Sequence, residues 1–500
     1  MSTQYRASQW PRFRSLVGLL LLTAIGLAAC GGGTEDNTVG YVTTPDGIVP
    51  IDINSPAEIA QESADNYDDN VNGLISGATL KRWKDDWLNE RPAGITGKLV
   101  ILQVSEGPAG AEYIMSNGTN VFTYLSPSSE WIQTRSNGVI NTRSMVPDGP
   151  SMDALLRKYN IDPHRDMIVL AMGNGSTGNA MGQGRVWYAL RYWGVEANHL
   201  GILNGGNQWL VTSSMTAADF EATADSAPNS GIATVKSLPT DNTALQATME
   251  DLLNALPASD TNVLNDGVFI WDARGMNQFS AGEKLELGQS GCATAYCDPP
   301  VGFDYMTTFQ NSGSRQGHPW GTLQLQFTRM LVSSEGWRYK DKAELAAYLN
   351  GELDVDGLGV VDATYQPVGV GNAYQPGDTM YVYCETTFRA MITGVVGAVI
   401  LGKPTRFYDG AMVEWHSLSH LLDATGNYIL PSDSPWRSDV KSFYRPASDP
   451  SLVAQREIVD PHAAHANAII LADKAYKTSA TDTGGGGAGG GGLPPNPCGG

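Results

Sequence analysis

Among the five cysteines of this 500-residue chain, Cys384 stands where chemistry is possible. It lies in the stretch from Tyr381 to Leu401, YVYCETTFRAMITGVVGAVIL, which reads as a short apolar strand, a polar turn opening with the cysteine, and a helix of small residues. A cysteine at such a junction sits beside backbone N–H groups left unpaired by the helix and at the positive end of the helix dipole. Both favour the thiolate, which is the nucleophilic form. Arg389 adds a fixed positive charge at the far side of the turn, and Glu385, next to the cysteine, opposes it. With these charges nearly cancelled, backbone dipoles are left as the main electrostatic help. Taken alone, the turn is equally compatible with a structural cysteine at the end of a buried strand.

The other candidate sites are weaker. Cys292 and Cys297 are spaced closely enough for a disulfide in an oxidising compartment, and no nearby His or Cys completes a four-ligand metal set. His416 with His420, and His462 with His465, have helical spacing, but no carboxylate singles out either pair, so both are read as surface histidines. No metal site is expected and no cofactor either, since the c-type haem motif C-x-x-C-H is missing from the sequence. Gly173 to Gly178 is formally G-x-G-x-x-G after the strand Met167 to Met172. The next strand, Leu200 to Leu203, ends at Asn204 without the acidic residue a dinucleotide ribose requires, and further glycines delay the helix, so that reading is rejected.

Cys384-Glu385-Thr386-Thr387-Phe388-Arg389 resembles the active-site loop of rhodanese-type sulfurtransferases, often C-x-x-G-x-R, with Thr387 at the glycine position. Asp272-Ala273-Arg274, followed by Phe279 and Gly282-Glu283, resembles the opening motif of such a domain. Gly317-His318-Pro319-Trp320-Gly321 is similar to the Gly-His-x-Pro-Gly turn, with proline and the variable residue exchanged. Tyr408-Asp409-Gly410 with Glu414-Trp415 is similar to the pattern after the active helix of tandem enzymes. Upstream, RVWYALRYWG and LNGGNQWL, around Arg185, Gly194, Gly205, Gly206 and Trp209, resemble a first copy whose glycine loop holds no cysteine.

The resemblance runs from about Leu74 to Leu422 and implies an α/β fold of two tandem rhodanese-like domains, each a mainly parallel sheet flanked by helices. It implies that Cys384 attacks the outer sulfur of a donor such as thiosulfate, and that a thiol or other nucleophile discharges the persulfide. The backbone of Glu385, Thr386, Thr387, Phe388 and Arg389 would bind the donor anion, helped by the Arg389 guanidinium. Asp272, Arg274, His318, Asp409 and Gly410 are carried over as structural motif residues. A phosphatase or arsenate reductase on this fold would separate cysteine and arginine by five residues; here four intervene, which favours sulfur. Glu385 opposes a dianionic donor. Together with Thr387 and the missing first-domain cysteine, it supports an alternative reading as a binding or scaffold protein that has lost turnover. A thiol redox carrier using Cys384 and Cys498 rests on tail flexibility alone.

The elements that must position this site follow in order. Arg6, Arg12 and Arg14 precede an apolar run from Leu16 to Ala29, too short to span a bilayer, and Leu27-Ala28-Ala29-Cys30 is similar to a bacterial lipobox. The expectation is a signal peptide over 1–29 and lipidation at Cys30, anchoring the protein in the cell envelope, with an outer-membrane preference because Gly31 is not aspartate. A flexible tether is expected over 30–72, the first domain over 74–212, a connector over 213–262 with a helix near Met249 to Leu256, and the second domain over 263–422. A C-terminal extension, 423–480, carries a helix from Ala463 to Tyr476, and a glycine-rich tail, 481–500, ends the chain. A net charge of −20 argues against nucleic acid or anionic lipid as a charge-bound partner.

Overall fold

The apolar runs assemble into two five-stranded sheets with one topology. In this computed structural model the described residues are 41–45, 47–303, 316–423, 425–445 and 456–479. Cys30 with its apolar run, and Cys498 with the glycine-rich tail, lie outside them. The first sheet holds β1 (Gly73–Ile75), β2 (Leu99–Gln103), β3 (Val121–Leu125), β4 (Met167–Ala171) and β5 (Leu200–Leu203), in the spatial order β1-β5-β4-β2-β3. The second holds β6 (Gln246–Ala247), β7 (Val268–Asp272), β8 (Leu323–Gln324), β9 (Thr379–Tyr383) and β10 (Thr405–Tyr408), in the order β6-β10-β9-β7-β8. Every pairing within both sheets is parallel. That is why β2 and β4 are buried along their whole length: strands covered on both faces read as unbroken apolar runs.

The helix after each central strand joins the two sheets. α1 (Thr177–Tyr192) follows β4; α2 (Phe388–Val395) follows β9 and runs on as a π-helical turn, Val396–Ile400. Close approach is possible because position 184 is glycine: a Cβ there would lie 2.8 Å from the Met391 Cβ. Tyr188 and Phe407 pack with ring centroids 4.8 Å apart. One hydrophobic cluster therefore contains Leu102, Val186 and Trp187 from the first half with Met391, Val395 and Phe407 from the second. α1 is buried nearly all round because it is clad on both sides by protein.

Two segments differ from their sequence expectation, and a third gains a defined seat. From Tyr41 onward the expected tether is built into the fold. Tyr41–Thr44 pairs with Gly47–Pro50, Asp52–Ile53 with Thr240–Asp241, and the Gln61 and Ser63 N–H groups donate to the Ala398 and Ile400 carbonyls. Its apolar residues, such as Ile59 and Tyr67, dock singly instead of forming a periodic face, so the sequence shows no pattern. The connector adds β6 to the second sheet, ahead of position 263. The C-terminal extension folds back across the first half: Asn141 N–H donates to the Glu457 carbonyl and Val459 N–H to the Val139 carbonyl. Within it the helix Ala468–Thr478 presents Asp473 to Arg135 (2.7 Å) and to the Tyr192 hydroxyl (2.8 Å).

Candidate functional site

Cys384 follows the last residue of β9, the central strand of the second sheet, and its thiol is free and wholly buried. The same position in the first sheet, after β4, is the turn at Gly173, so the two turns occupy equivalent places. The turn after β9 is clamped from below: Met412 N–H donates to the Cys384 carbonyl and Val413 N–H to the Glu385 carbonyl, each at 3.1 Å. Thr387 adopts φ 66°, ψ −9°, the left-handed conformation that the glycine of the resembled pattern would take without strain. A β-branched residue there is costly, and the Thr387 hydroxyl offsets it by bridging toward the Tyr408 and Asp409 carbonyls at 3.0 and 2.9 Å.

The two turns differ in how their N–H groups are used. In the first, Asn174 N–H lies 3.2 Å from both the Glu106 carbonyl and the Ser105 hydroxyl, and Gly175 N–H donates to Gln208 Oε1 at 2.7 Å. That turn is filled by its own protein. In the second, among the described residues no protein group accepts from the N–H groups of Thr386, Thr387, Phe388 or Arg389.

Around the thiol the charges form a chain. Arg274 and Asp272 are both fully buried and paired through two edges, with Nε to Oδ1 at 2.9 Å and Nη2 to Oδ2 at 2.6 Å. Tyr383 donates its hydroxyl to Asp272 Oδ2 at 3.0 Å, which ties this pair to the end of β9. Arg274 Nη1 also lies 3.5 Å from Glu385 Oε2. Assigned from the sequence mainly to structure, Arg274 thus reaches the residue beside Cys384. Burial pushes the Glu385 carboxyl above its ordinary range, while Arg274 and Arg389 pull the other way. Arg389 is held by Gln278 Oε1.

The remaining motif residues build the scaffold. His318 is buried, stacked on Phe279 at 3.8 Å, with Nδ1 2.8 Å from the Phe279 carbonyl oxygen and Nε2 3.1 Å from Asp260. Asp409 turns toward the other half, where it pairs with Arg185 and accepts from Val146 N–H at 2.7 Å. Gly410 leaves room for Glu414, whose Oε2 would lie 2.1 Å from a Cβ at that position. Glu414 accepts from the Tyr408 hydroxyl, Asn137 Nδ2 and the Thr142 hydroxyl, and burial raises its carboxyl to about 7. Cys292 and Cys297 are disulfide-bonded. His416, expected at the surface, is buried, because its helix (Ala411–Ser417) is covered on every side.

Sequence reasoning missed Arg456. Burial lowers the pKa of its guanidinium, as does Arg143, whereas Glu385 raises it. It belongs to an extension with no motif, and the pairing of Glu457 and Val459 with Asn141 and Val139 seats it on the first half. Three cavities, of about 560, 490 and 280 Å³, are lined by other parts of the protein, and none by Cys384 to Arg389.

No family model and no curated protein matches this chain. Among solved structures, the chain is similar to the Tum1 protein from Saccharomyces cerevisiae at 14% identity, covering 74% of this chain and 99% of that one, with a TM-score of 0.40. It is similar to 3-mercaptopyruvate sulfurtransferase from Leishmania major at 13% identity, covering 68% and 73%, with a TM-score of 0.39. A variant of EanB in complex with ergothioneine is 14% identical over 71% of this chain and 70% of that one, with a TM-score of 0.44. The protein itself is a mixed α/β fold with parallel sheets flanked by helices, and a buried free cysteine closes the central strand of the second sheet.

Proposed function

We propose that the protein is a sulfurtransferase built from two tandem rhodanese-like domains, working through a persulfide on Cys384. The Cys384 thiolate attacks the outer sulfur of a donor such as thiosulfate; a sulfur–sulfur bond forms, the donor's own sulfur–sulfur bond breaks, and its electron pair leaves with sulfite. A nucleophilic acceptor then takes the outer sulfur and returns the thiolate. The observation that carries this reading is the contrast between the two turns: the first is filled by its own side chains, while the Cys384 turn holds N–H groups with no acceptor among the described residues. Such donors suit the charge developing on an anionic leaving group. Thr387 supports it by keeping the turn in the conformation a glycine would give. The test is mass spectrometry of the intact protein after thiosulfate, with a gain of one sulfur atom mapped to Cys384.

A second reading, a binding or scaffold protein without turnover, is favoured by the complete burial of the Cys384 thiol. It predicts no mass gain with any sulfur donor. Anchoring in the cell envelope through Cys30 belongs to the same proposal, and Cys30→Ser should move the protein from the membrane fraction to the soluble one.

A further inference from the structure

One short stretch grips the Cys384 turn at both ends. Arg274 Nη1 lies 3.5 Å from Glu385 Oε2, at the residue after the thiol. Further along the same stretch, Gln278 Oε1 accepts from Arg389 Nη1 at the far end of the turn. The base that carries Gln278 is rigid. It belongs to the helical turn Met276–Phe279, whose last residue, Phe279, is fully buried and stacks on His318 at 3.8 Å, with its carbonyl oxygen 2.8 Å from His318 Nδ1. The Gln278 side chain therefore reaches Arg389 from a fixed support.

The partner of Arg389 is neutral. Among the described residues no carboxylate lies within ion-pair distance of its guanidinium, and Gln278 is the one group that accepts a hydrogen bond from it. The acid of the same turn, Glu385, is engaged by Arg274, and Arg274 by Asp272. Helix stability does not account for the cation either. Arg389 is the second residue of α2, in the first turn, where the helix dipole disfavours positive charge and no acidic side chain offsets it. An amide oxygen orients a guanidinium without cancelling its charge, as a carboxylate would. The turn thus ends in a positioned, unneutralised cation, next to backbone N–H groups that no protein group among the described residues accepts from.

We propose that Gln278 is the positioning residue that makes the Cys384 turn prefer an anionic reactant: it fixes the Arg389 guanidinium at the end of the turn and leaves its charge for the incoming molecule. The preference is for a small molecule with an oxyanion group over its uncharged counterpart. Through the sulfur-transfer reading, on which this part rests, it names the donor class as an anionic sulfur compound. The charge preference itself does not depend on turnover.

The test reads charge preference without sulfur transfer. Iodoacetate and iodoacetamide have nearly the same shape and differ by one charge. Both react alike: the Cys384 sulfur bonds to carbon, the carbon–iodine bond breaks, and iodide leaves with the electron pair. Their rates are measured on the full chain, with the label mapped to Cys384 by peptide mass spectrometry, and compared as a ratio. Gln278→Glu pairs Arg389 with a carboxylate and should lower the iodoacetate-to-iodoacetamide ratio about threefold or more at low salt, as one unit charge at a solvated site implies, with the effect fading as salt is added. Gln278→Met keeps the length, removes the acceptor and should lower the ratio less. Melting temperature separates a structural role, because Gln278→Glu gains an ion pair and should melt no lower than the wild type. With thiosulfate the same variant should raise KM more than it lowers kcat. A ratio unchanged in Gln278→Glu, or a thiol that reacts with neither reagent, overturns the proposal, as does a ratio that falls only together with the melting temperature. A charge preference set by Gln278 without persulfide formation in the wild type would sink the sulfur-transfer reading and leave the positioning role standing.

Discussion

Arg185 and Asp409, both fully buried, meet at 2.5 Å across the junction between the two sheets, one from α1 and the other from the turn after β10. Asp409 also accepts from Arg185 Nη2 and from Val146 N–H, so a single carboxylate ties the second half to two elements of the first. Removing one member of a buried pair leaves the other charge uncompensated, at a cost of about 3–5 kcal/mol. Asp409→Asn should destabilise the whole protein on that scale in urea unfolding. Arg185→Met combined with Asp409→Leu should recover much of the loss. Independent melting of the two halves in Asp409→Asn would show that this contact is what couples them.

Thr387 tests backbone strain separately from chemistry. Its positive φ costs a β-branched residue about 1–3 kcal/mol, and its hydroxyl gives about 1 kcal/mol back through the Tyr408 and Asp409 carbonyls. Thr387→Gly removes strain and hydrogen bond together and should change stability by less than about 1 kcal/mol. Thr387→Val keeps the strain and buries carbonyls without a donor, so it should cost roughly 2–3 kcal/mol by denaturant titration. Equal effects of the two substitutions would show that the hydroxyl carries no weight.

The strands were legible because burial on both faces writes itself as an apolar run: Leu200–Leu203 falls where the pattern placed it. The turn was legible for a similar reason, since Cys384 and Arg389 flank a strand-to-helix junction visible in composition. What the sequence hid are pairings between distant segments. Nothing in the C-terminal extension announces its seat on the first half, because that is set by the backbone bonds that Glu457 and Val459 make with Asn141 and Val139. Asp409 was assigned to its own domain's motif, and only the packing of α1 on α2 reveals that it faces Arg185. Leu88 shows the reverse failure: it continues the helical spacing of Leu80 and Trp83, but the chain breaks at Asp86 and leaves it exposed.

Glu414 makes the same junction pH-dependent. Its carboxyl is raised from 4.5 to about 7 by burial, among Tyr408, Asn137 and Thr142 and close to Asp409. Between those values the folded state holds a proton that the unfolded chain has released. Stability therefore falls as pH rises from about 4.5 to about 7 and is flat in this group above that, the full span amounting to about 3 kcal/mol. Glu414→Gln mimics the protonated acid and should flatten that part of the profile. The informative quantity is the difference in melting temperature between wild type and Glu414→Gln across pH 4 to 8, and a difference that does not vary with pH would contradict the assignment.

Cys384 and Glu385 decide between the two functional readings. Cys384→Ser should abolish persulfide formation with every donor, since the other described cysteines, Cys292 and Cys297, are joined in a disulfide. Burial raises the Glu385 carboxyl, so below that raised pKa the neighbour of the thiol is neutral and presents no charge to a dianionic donor. Above it the carboxylate is ionised and repels thiosulfate, with Arg274 at 3.5 Å cancelling part of the field. Glu385→Gln should therefore match the wild type at low pH and exceed it increasingly as pH rises, most clearly at low salt where screening is weak. Persulfide yield against pH, read by mass spectrometry on both proteins, makes the comparison. Persulfide surviving in Cys384→Ser would move the nucleophile elsewhere. Inert wild type and inert Glu385→Gln, with every donor tried, would replace the enzyme by a binding protein whose sealed thiol is part of its core.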